Sequence, residues 1–321
     1  SKLLGHDEIS IKRKFFNKDL LEDIGIRVQI VDVSEEFQLK LYKKDVCDVI
    51  FHMAAQCGVP TSIQKPMRDF QVNTLGTLNM LEKARQDNSV FVYASTNKVY
   101  NLHGGWKLNE DKKRWEWEDY NLRTNGFPLD GGGYGIYMLK GSRTPYGASK
   151  YAGDIYCQEY SNIYNLRTGV FRKSCIYGTN QFSFEEQGWA TWFIIAALKS
   201  EPITIYGDGK QVRDMLWIGD TVQAYAKYAQ AALDGKIHSG VWNLGGGPNN
   251  TLSLNECVDI VQNITNKVMK VGYADWRPSD QKVYTSNIEA VCKDLDWKPT
   301  VAPKDGLKMV ASWVKKNIGV F

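Results

Sequence analysis

Four apolar runs, residues 28–31, 46–52, 90–95 and 168–173, alternate with segments whose apolar positions recur at the helical period, near 36–44, 70–86 and 146–165. Runs without polar alternation bury both faces, and strands joined by helix-length crossovers lie parallel. The alternation therefore predicts an α/β fold, a doubly wound parallel sheet covered by helices on both sides. Beyond Arg172 the rhythm changes. Helix 188–199, short strand 203–206, helix 220–233, strand 241–244 and helices near 254–265 and 304–316 predict a smaller second lobe that returns a strand or two to the first sheet. The expected division is 1–173 for the sheet domain and 174–321 for the lobe, and 321 residues suffice for one large core or two modest ones. No internal repeat is evident.

Residues 101–143 interrupt the pattern with Gly, Trp, Tyr and charge. Insertions this long are usually lids or disordered, and Trp106, Trp115, Trp117 and Tyr120 favour a packed lid. Gly131-Gly132-Gly133-Tyr134-Gly135 follows no strand, so it is not a dinucleotide-binding turn.

Composition narrows the partners. The net charge of +4 comes from interspersed Lys and Arg, so no basic face marks nucleic acid as a partner. No apolar run approaches the ~18 residues of a membrane span, and no signal peptide is visible. The cysteines at 47, 57, 157, 175, 257 and 292 are scattered without a Cys-x-x-Cys, as small core residues of a reducing, cytoplasmic setting would be. The histidines at 6, 52, 103 and 238 do not pair at metal-ligand spacing, so no metal is expected.

Tyr146 and Lys150 stand at i and i+4 of a predicted helix and share one face. An adjacent ammonium lowers a phenol from ~10 toward a value usable for acid–base work near neutrality. Alone, the pair suits an ordinary solvated helix equally well. Upstream, the buried strand 90–95 closes on Ser95, Thr96 and Asn97, and ligands of doubly wound sheets bind beyond the carboxyl ends of strands. Thr96 is then placed to share a substrate hydroxyl with Tyr146, unless Ser95 and Thr96 simply cap the next segment.

With those motifs the chain resembles the extended short-chain dehydrogenase/reductases, specifically the NAD-dependent nucleotide-sugar epimerases and dehydratases. The resemblance runs from about Asp7 to the C-terminus. It rests on Ser-Thr-Asn-Lys-Val-Tyr (95–100), Tyr-Gly-Ala-Ser-Lys (146–150), Phe-Arg-Lys-Ser-Cys-Ile-Tyr-Gly (171–178), Glu-Gln-Gly-Trp (186–189), Gly-Asp-Gly-Lys-Gln-Val-Arg-Asp (207–214) and Arg-Pro-Ser-Asp-Gln (277–281). The Thr-Asn-Lys variant and the Gln-Gly-Trp segment look most like the branch that epimerises CDP-paratose and CDP-tyvelose at C2.

The resemblance implies a Rossmann-type domain with NAD as cofactor. It places Asp7 at the adenosine ribose, with Ser10 nearby, and Asp32 and Val33 at the adenine edge. Ala54, Ala55 and Gln56 form a small-residue turn against the cofactor, Asn73 lies near the active-site water network, and Ser95 and Ser174 flank the cofactor with Tyr146 and Lys150. Thr96, Tyr146 and Lys150 are implied as catalytic, with Tyr146 taking a proton from a sugar hydroxyl as NAD accepts hydride from the same carbon. The keto-sugar then turns over and hydride returns to its other face. Thr96, Asn97, Lys98, Gln187, Gly188, Trp189, Tyr206 and Gln211 are implied to line the substrate site, with Arg213 and Arg277 on the diphosphate, where a guanidinium fork suits the anion. A surface salt bridge to Asp214 or Asp280 is the plainer role for those arginines.

Family members that eliminate water carry an Asp-Glu pair after the threonine. Asn97 and Lys98 stand there instead, which disfavours dehydration. The expectation is an epimerase inverting C2 of a CDP-linked deoxyhexose in surface-polysaccharide sugar biosynthesis. The alternatives are a nucleotide-sugar 4-epimerase or reductase of the same family, or a catalytically silent nucleotide-sugar-binding homologue. A homo-oligomer is expected through faces of helices 70–86 and 146–165. The family's opening strand, glycine turn and helix have no counterpart here, and the start, Ser-Lys-Leu-Leu-Gly-His-Asp, resembles the loop after its second strand. About thirty residues are therefore expected to precede it.

Overall fold

The strands that organise the molecule are apolar along their length because helices cover both of their faces. In this computed structural model, which describes residues 8–35 (side chains from Phe16), 46–100, 107–129 and 141–321, four strands form a parallel sheet: β1 (Val49–His52), β2 (Val90–Thr96), β5 (Thr168–Lys173) and β9 (Gly240–Leu244), in the order β1-β2-β5-β9. The register pairs Val49 with Val90, Phe91 with Thr168 and Gly169 with Gly240. Every residue of β2 is buried, as in a strand covered on two sides.

Successive strand residues face opposite ways, and the two cores follow that rule. Phe91, Tyr93 and Val170 pack with Leu81, Ala84, Cys157 and Tyr160 on one face. Val90, Val92 and Phe171 pack with Ala224, Tyr225, Tyr228 and Trp242 on the other. Each large apolar side chain buried this way contributes about 1.5–3 kcal/mol. This is the expected doubly wound, Rossmann-type arrangement. The helices are α1 (Glu8–Asp23), α2 (Val59–Gln64), α3 (Pro66–Phe70), α4 (Gly76–Asp87), α5 (Tyr120–Asn125), α6 (Thr144–Tyr164), α7 (Trp189–Lys199), α8 (Ile218–Leu233), α9 (Leu254–Thr265), α10 (Glu289–Asp294) and α11 (Pro303–Lys316). Helix α6 lies close to β2 because Gly153 has no side chain: a Cβ there would stand 2.3 Å from the Tyr93 hydroxyl oxygen.

Two sequence expectations change. Residues 28–31 are not a strand, and Ile30 is 74% exposed. A strand persists only where a neighbour pairs with it, and no described strand pairs with these residues. The predicted helix 70–86 is interrupted by a π-helical turn, Gln71–Leu75, between α3 and α4. There Asn73 accepts from the Gln56 amide at 2.8 Å and donates to its carbonyl at 3.0 Å, tying the widened turn to the loop after β1. The insertion contains a hairpin, β3 (Leu108–Glu110) and β4 (Trp115–Trp117), followed by α5. The expected helix at 36–44, Trp106 and the 131–135 glycine run lie outside the described residues.

The C-terminal half adds β6 (Cys175–Tyr177), β7 (Ile203–Tyr206), β8 (Val212–Trp217), β10 (Thr251–Ser253), β11 (Val271–Ala274) and β12 (Val283–Tyr284). β8 pairs with β6, β10 and β12, and β7 pairs with β11. Helices α7, α9 and α11 bury Phe193, Ile194, Val258, Val261, Leu307 and Val314 in one cluster. The hairpin is strapped to this half: Trp115 Nε1 donates to Asp208 at 2.8 Å, Lys210 meets Glu110 at 2.6 Å, and Arg114 donates to Thr251 at 2.7 Å.

Candidate active site

Thr96 closes β2, and its hydroxyl oxygen accepts from the Lys98 amide at 3.2 Å, capping the 3-10 turn Asn97–Val99. The same side chain lies close enough to the Tyr146 phenol to favour its ionised form. It is thus a cap and a site residue at once. Helix α6 opens with Pro145 in its first turn and presents Tyr146 and Lys150 one turn apart. Lys150 is 2% exposed, and its ammonium lies 4.1 Å from the centroid of the Tyr93 ring.

The electrostatics differ from the sequence expectation. Burial pushes the Tyr146 phenol above its ordinary value, with Cys57 and Asp69 reinforcing it and the nearby Thr96 hydroxyl opposing. Burial brings Lys150 down to about 7, and Lys173 repels its charge further. Desolvation outweighs the pairing of phenol and ammonium. Burial thus opposes charge on both the phenol and the amine. Behind the pair, Ser149 donates to Asp69 at 2.5 Å, and Asn73 donates to Asp69 and to Ser149 at 3.1 Å each.

On the expected cofactor side, Asp32 accepts from Ser34 at 2.7 Å and pairs with Arg68 at 2.6 Å. Those hydrogen bonds hold its carboxyl at about 2. The Val33 carbonyl accepts from Asn79 at 2.9 Å. Ala54, Ala55 and Gln56 occupy the loop after β1, and the Gln56 side-chain oxygen is buried with no partner. The Ser95 hydroxyl turns away to Asp154 at 2.6 Å, and that of Ser174 donates to Asp214, so both are engaged within the protein. Asp7 and the Ser10 side chain lie outside the described residues. The donor set fits the nicotinamide end of NAD: a phenol, a buried amine and an unpaired amide oxygen stand by the carboxyl ends of β1 and β2.

Beside Thr96 opens a cavity of about 230 Å³, whose lining includes Cys57, Lys98, Trp189, Tyr206, Arg213 and Arg277. Arg213 pairs with Asp280 at 2.8 Å, the role the plainer reading gave it, yet it still faces the cavity. Lys98 also approaches Asp280, at 3.8 Å. Burial lowers Lys98 to about 8, and although burial raises Asp280, Arg213 and Lys98 hold it below the usual carboxylate range. The Arg277 guanidinium stacks 4.0 Å from the Tyr206 ring centroid and donates to the Glu185 carbonyl at 3.3 Å. Gln211 also lines the cavity and donates to the Tyr206 carbonyl at 2.7 Å. Asn97 donates to Gln281 at 3.3 Å. Gln187 is exposed and outside the cavity lining, and Gly188 takes the left-handed conformation, φ 75°, that admits α7.

Sequence reasoning missed Asp69, Cys57 and Lys173 as neighbours of Tyr146 or Lys150. A charged residue ending an otherwise apolar strand was the available signal for Lys173. Asp69 gave none. No described helix is long and apolar enough to cross a membrane.

Comparison with known proteins agrees with this geometry. A profile of the NAD dependent epimerase/dehydratase family matches residues 135–245, and one for GDP-mannose 4,6 dehydratase matches residues 16–115. The CDP-paratose 2-epimerase of Salmonella typhi is 37% identical over 281 residues, covering 85% of this chain and 80% of that protein. A putative UDP-glucose 4-epimerase of Methanocaldococcus jannaschii is 32% identical, covering 97% and 87%. Among solved structures, the UDP-glucose 4-epimerase of Thermotoga maritima with UDP-glucose superposes with a TM-score of 0.75 at 22% identity, covering 98% of each chain. That of Thermus thermophilus with NAD gives 0.71 at 23% identity, covering 96% of each.

Proposed function

This chain belongs to the NAD-dependent epimerase/dehydratase family, as a nucleotide-sugar epimerase with NAD as its cofactor, and from that premise we propose that it inverts C2 of a CDP-linked deoxyhexose by transient oxidation to a keto-sugar. The observation that carries the reading is the Tyr146–Lys150 pair, one helical turn apart, together with a cavity lined by Lys98, Arg213 and Arg277 whose lining also holds Cys57, a neighbour of Tyr146. Asn97 and Lys98, in place of two carboxylates, cannot do the acid–base work of eliminating water. The 37% identical CDP-paratose 2-epimerase supports the C2 and CDP assignment.

Gln56, Asn73, Tyr146 and Lys150 would hold the nicotinamide end of NAD. Bound there, NAD supplies the acceptor and then the donor of a hydride. Tyr146 moves the proton of the reacting sugar hydroxyl out and back, and Thr96 orients that oxygen. Arg213 and Arg277 grip the diphosphate while the sugar turns over in the cavity. The exposed Ile155, Tyr156, Ile163 and Tyr164 on α6 support a homo-oligomer. The setting we infer is cytoplasmic supply of surface-polysaccharide sugars.

The test is incubation with CDP- and UDP-linked sugars, followed by NMR of the altered carbon. Inversion at C2 of a CDP-sugar is expected, and turnover of UDP-sugars alone would sink the assignment. Inversion at C4 is the second reading, favoured by the 32% identical putative 4-epimerase and by residues that serve either carbon.

A further inference from the structure

Two connections form one wall of the cavity: residues 207–211 between β7 and β8, and residues 275–282 between β11 and β12. They run side by side because β7 pairs with β11 and β8 with β12, both in parallel. The Gly207 amide donates to the Ala274 carbonyl at one end, and the Val212 amide to the Lys282 carbonyl at the other, each at 2.8 Å. Between those points Gly207, Gly209 and Ser279 take left-handed backbone, at φ 95°, 76° and 60°. A regular ladder does not pass through such residues, so side chains set the spacing there. That spacing matters, because Arg277 stands in one connection and Arg213 directly follows the other, and both line the cavity.

Trp115, in β4 of the inserted hairpin, meets both connections while lying outside the cavity lining. Its Nε1 donates to Asp208 at 2.8 Å, and its main-chain N–H donates to the Lys210 carbonyl at 2.9 Å. The other carboxylate oxygen of Asp208 accepts from the Lys210 amide at 2.9 Å, which fixes the turn that the indole grips. The face of the same indole receives the second connection: the Lys282 ammonium lies 3.9 Å from its ring centroid. Lys282 also stands 5.8 Å from the Trp276 ring, and that ring covers Gly207, where a Cβ would come within 2.8 Å of Trp276 Cδ2.

We propose that Trp115 is a positioning residue for the substrate's diphosphate: by holding Asp208 with its N–H and Lys282 with its ring face, it fixes the spacing at which Arg213 and Arg277 grip the anion. The idea rests on the reading that those two arginines bind a nucleotide diphosphate. A guanidinium fork loses strength quickly when displaced, so a brace acting on both connections controls affinity without touching the ligand. The diphosphate is held alike before and during the reaction. The effect therefore belongs in binding and KM, with kcat little changed. The insertion that interrupts the sheet domain thus works on the other lobe.

The experiment measures CDP and UDP binding to the full chain by calorimetry, with KM and kcat for the nucleotide-sugar alongside. Trp115→Phe keeps a ring for Lys282 and loses the donor to Asp208, and should raise Kd about 3-fold; Trp115→Leu loses both and should raise it about 10-fold. Should Trp115→Leu not fold, Trp115→Phe carries the test. Asp208→Asn sets an amide against the indole N–H and should also weaken binding, although removing a negative charge would by Coulomb attraction alone tighten it. Trp115→Phe with Asp208→Asn should be no worse than Asp208→Asn by itself, since the clash is gone. An unchanged Kd in Trp115→Phe and Trp115→Leu overturns the proposal, as does tighter binding in Asp208→Asn or a fall in kcat at constant KM. A parent protein that binds neither nucleoside diphosphate overturns the functional reading itself, a result the variants cannot mimic.

Discussion

The Lys150 ammonium sits 4.1 Å from the centroid of the Tyr93 ring, while the Tyr93 hydroxyl donates back to the Lys150 carbonyl at 3.2 Å. One residue of the sheet therefore holds both ends of the lysine. The ring face is worth up to about 2 kcal/mol to a desolvated cation, so Tyr93→Leu should push the Lys150 midpoint lower and cost about 3 kcal/mol of stability, cavity included. Tyr93→Phe keeps the ring and should cost about 1 kcal/mol. Urea denaturation of the two variants separates the terms; equal losses would deny the ring a role.

Tyr146→Phe removes the phenol oxygen and leaves the buried ring in place. The expected loss in kcat is about 10²–10⁴-fold, with an unchanged melting temperature. Retained epimerisation at the parent rate would remove Tyr146 from the chemistry.

Arg213 is the cation most tightly engaged beside the cavity, through its 2.8 Å contact with Asp280. Arg213→Lys keeps a charge for Asp280 but loses the planar fork. KM for the nucleotide-sugar should rise about 10- to 100-fold with a smaller change in kcat, as for an interaction made equally in ground and transition states. A fall in kcat at constant KM would place Arg213 nearer the reacting carbon than this cavity puts it.

The sheet was legible because its strands carry an unusually plain signal. β2 is Val-Phe-Val-Tyr-Ala-Ser-Thr, and no other described element buries so long an unbroken run. Residues 28–31 carry the same composition and form no strand, because composition reports willingness to pair and not the presence of a partner. The i, i+4 spacing found Tyr146 and Lys150. It could not show how strongly burial opposes their charges, since sequence shows neighbours along the chain but not how much water each retains. Lys173 comes beside Thr96 only through strand register, and Asp69 reaches Ser149 only through the docking of α3 on α6. Contacts of that kind arise from the fold.

Asp154 and Arg172 form a buried, two-pronged pair beneath the strand ends, with Ser95 as a third partner. Asp154→Asn leaves a guanidinium buried without its counter-charge, which should cost about 3–5 kcal/mol. Asp154→Asn with Arg172→Met should recover part of that loss in denaturant titration. If the double variant is as unstable as the sum of the single ones, the two side chains act independently.

His52 gives the fold a pH dependence of definite sign. It is 3% exposed, and its Nε2 lies 3.1 Å from the Thr77 hydroxyl oxygen. That hydroxyl spends its own proton on the Asn73 carbonyl at 2.6 Å, so Nε2 is the protonated nitrogen of a neutral ring. Burial, followed by the nearby Lys150 charge, lowers the imidazole to about 3, against ~6.5 in the unfolded chain. Because the folded value is the lower one, the unfolded chain binds the extra proton. The stabilisation is complete above pH ~6.5 and is lost as pH falls from there toward 3. Between pH 7.5 and 5 the loss attributable to His52 is about 2 kcal/mol. His52→Gln keeps a donor for Thr77 but does not titrate. The difference between parent and variant in urea midpoints at the two pH values should show that slope, and parallel curves would mean that the ring is protonated, or exposed to water, in the folded protein.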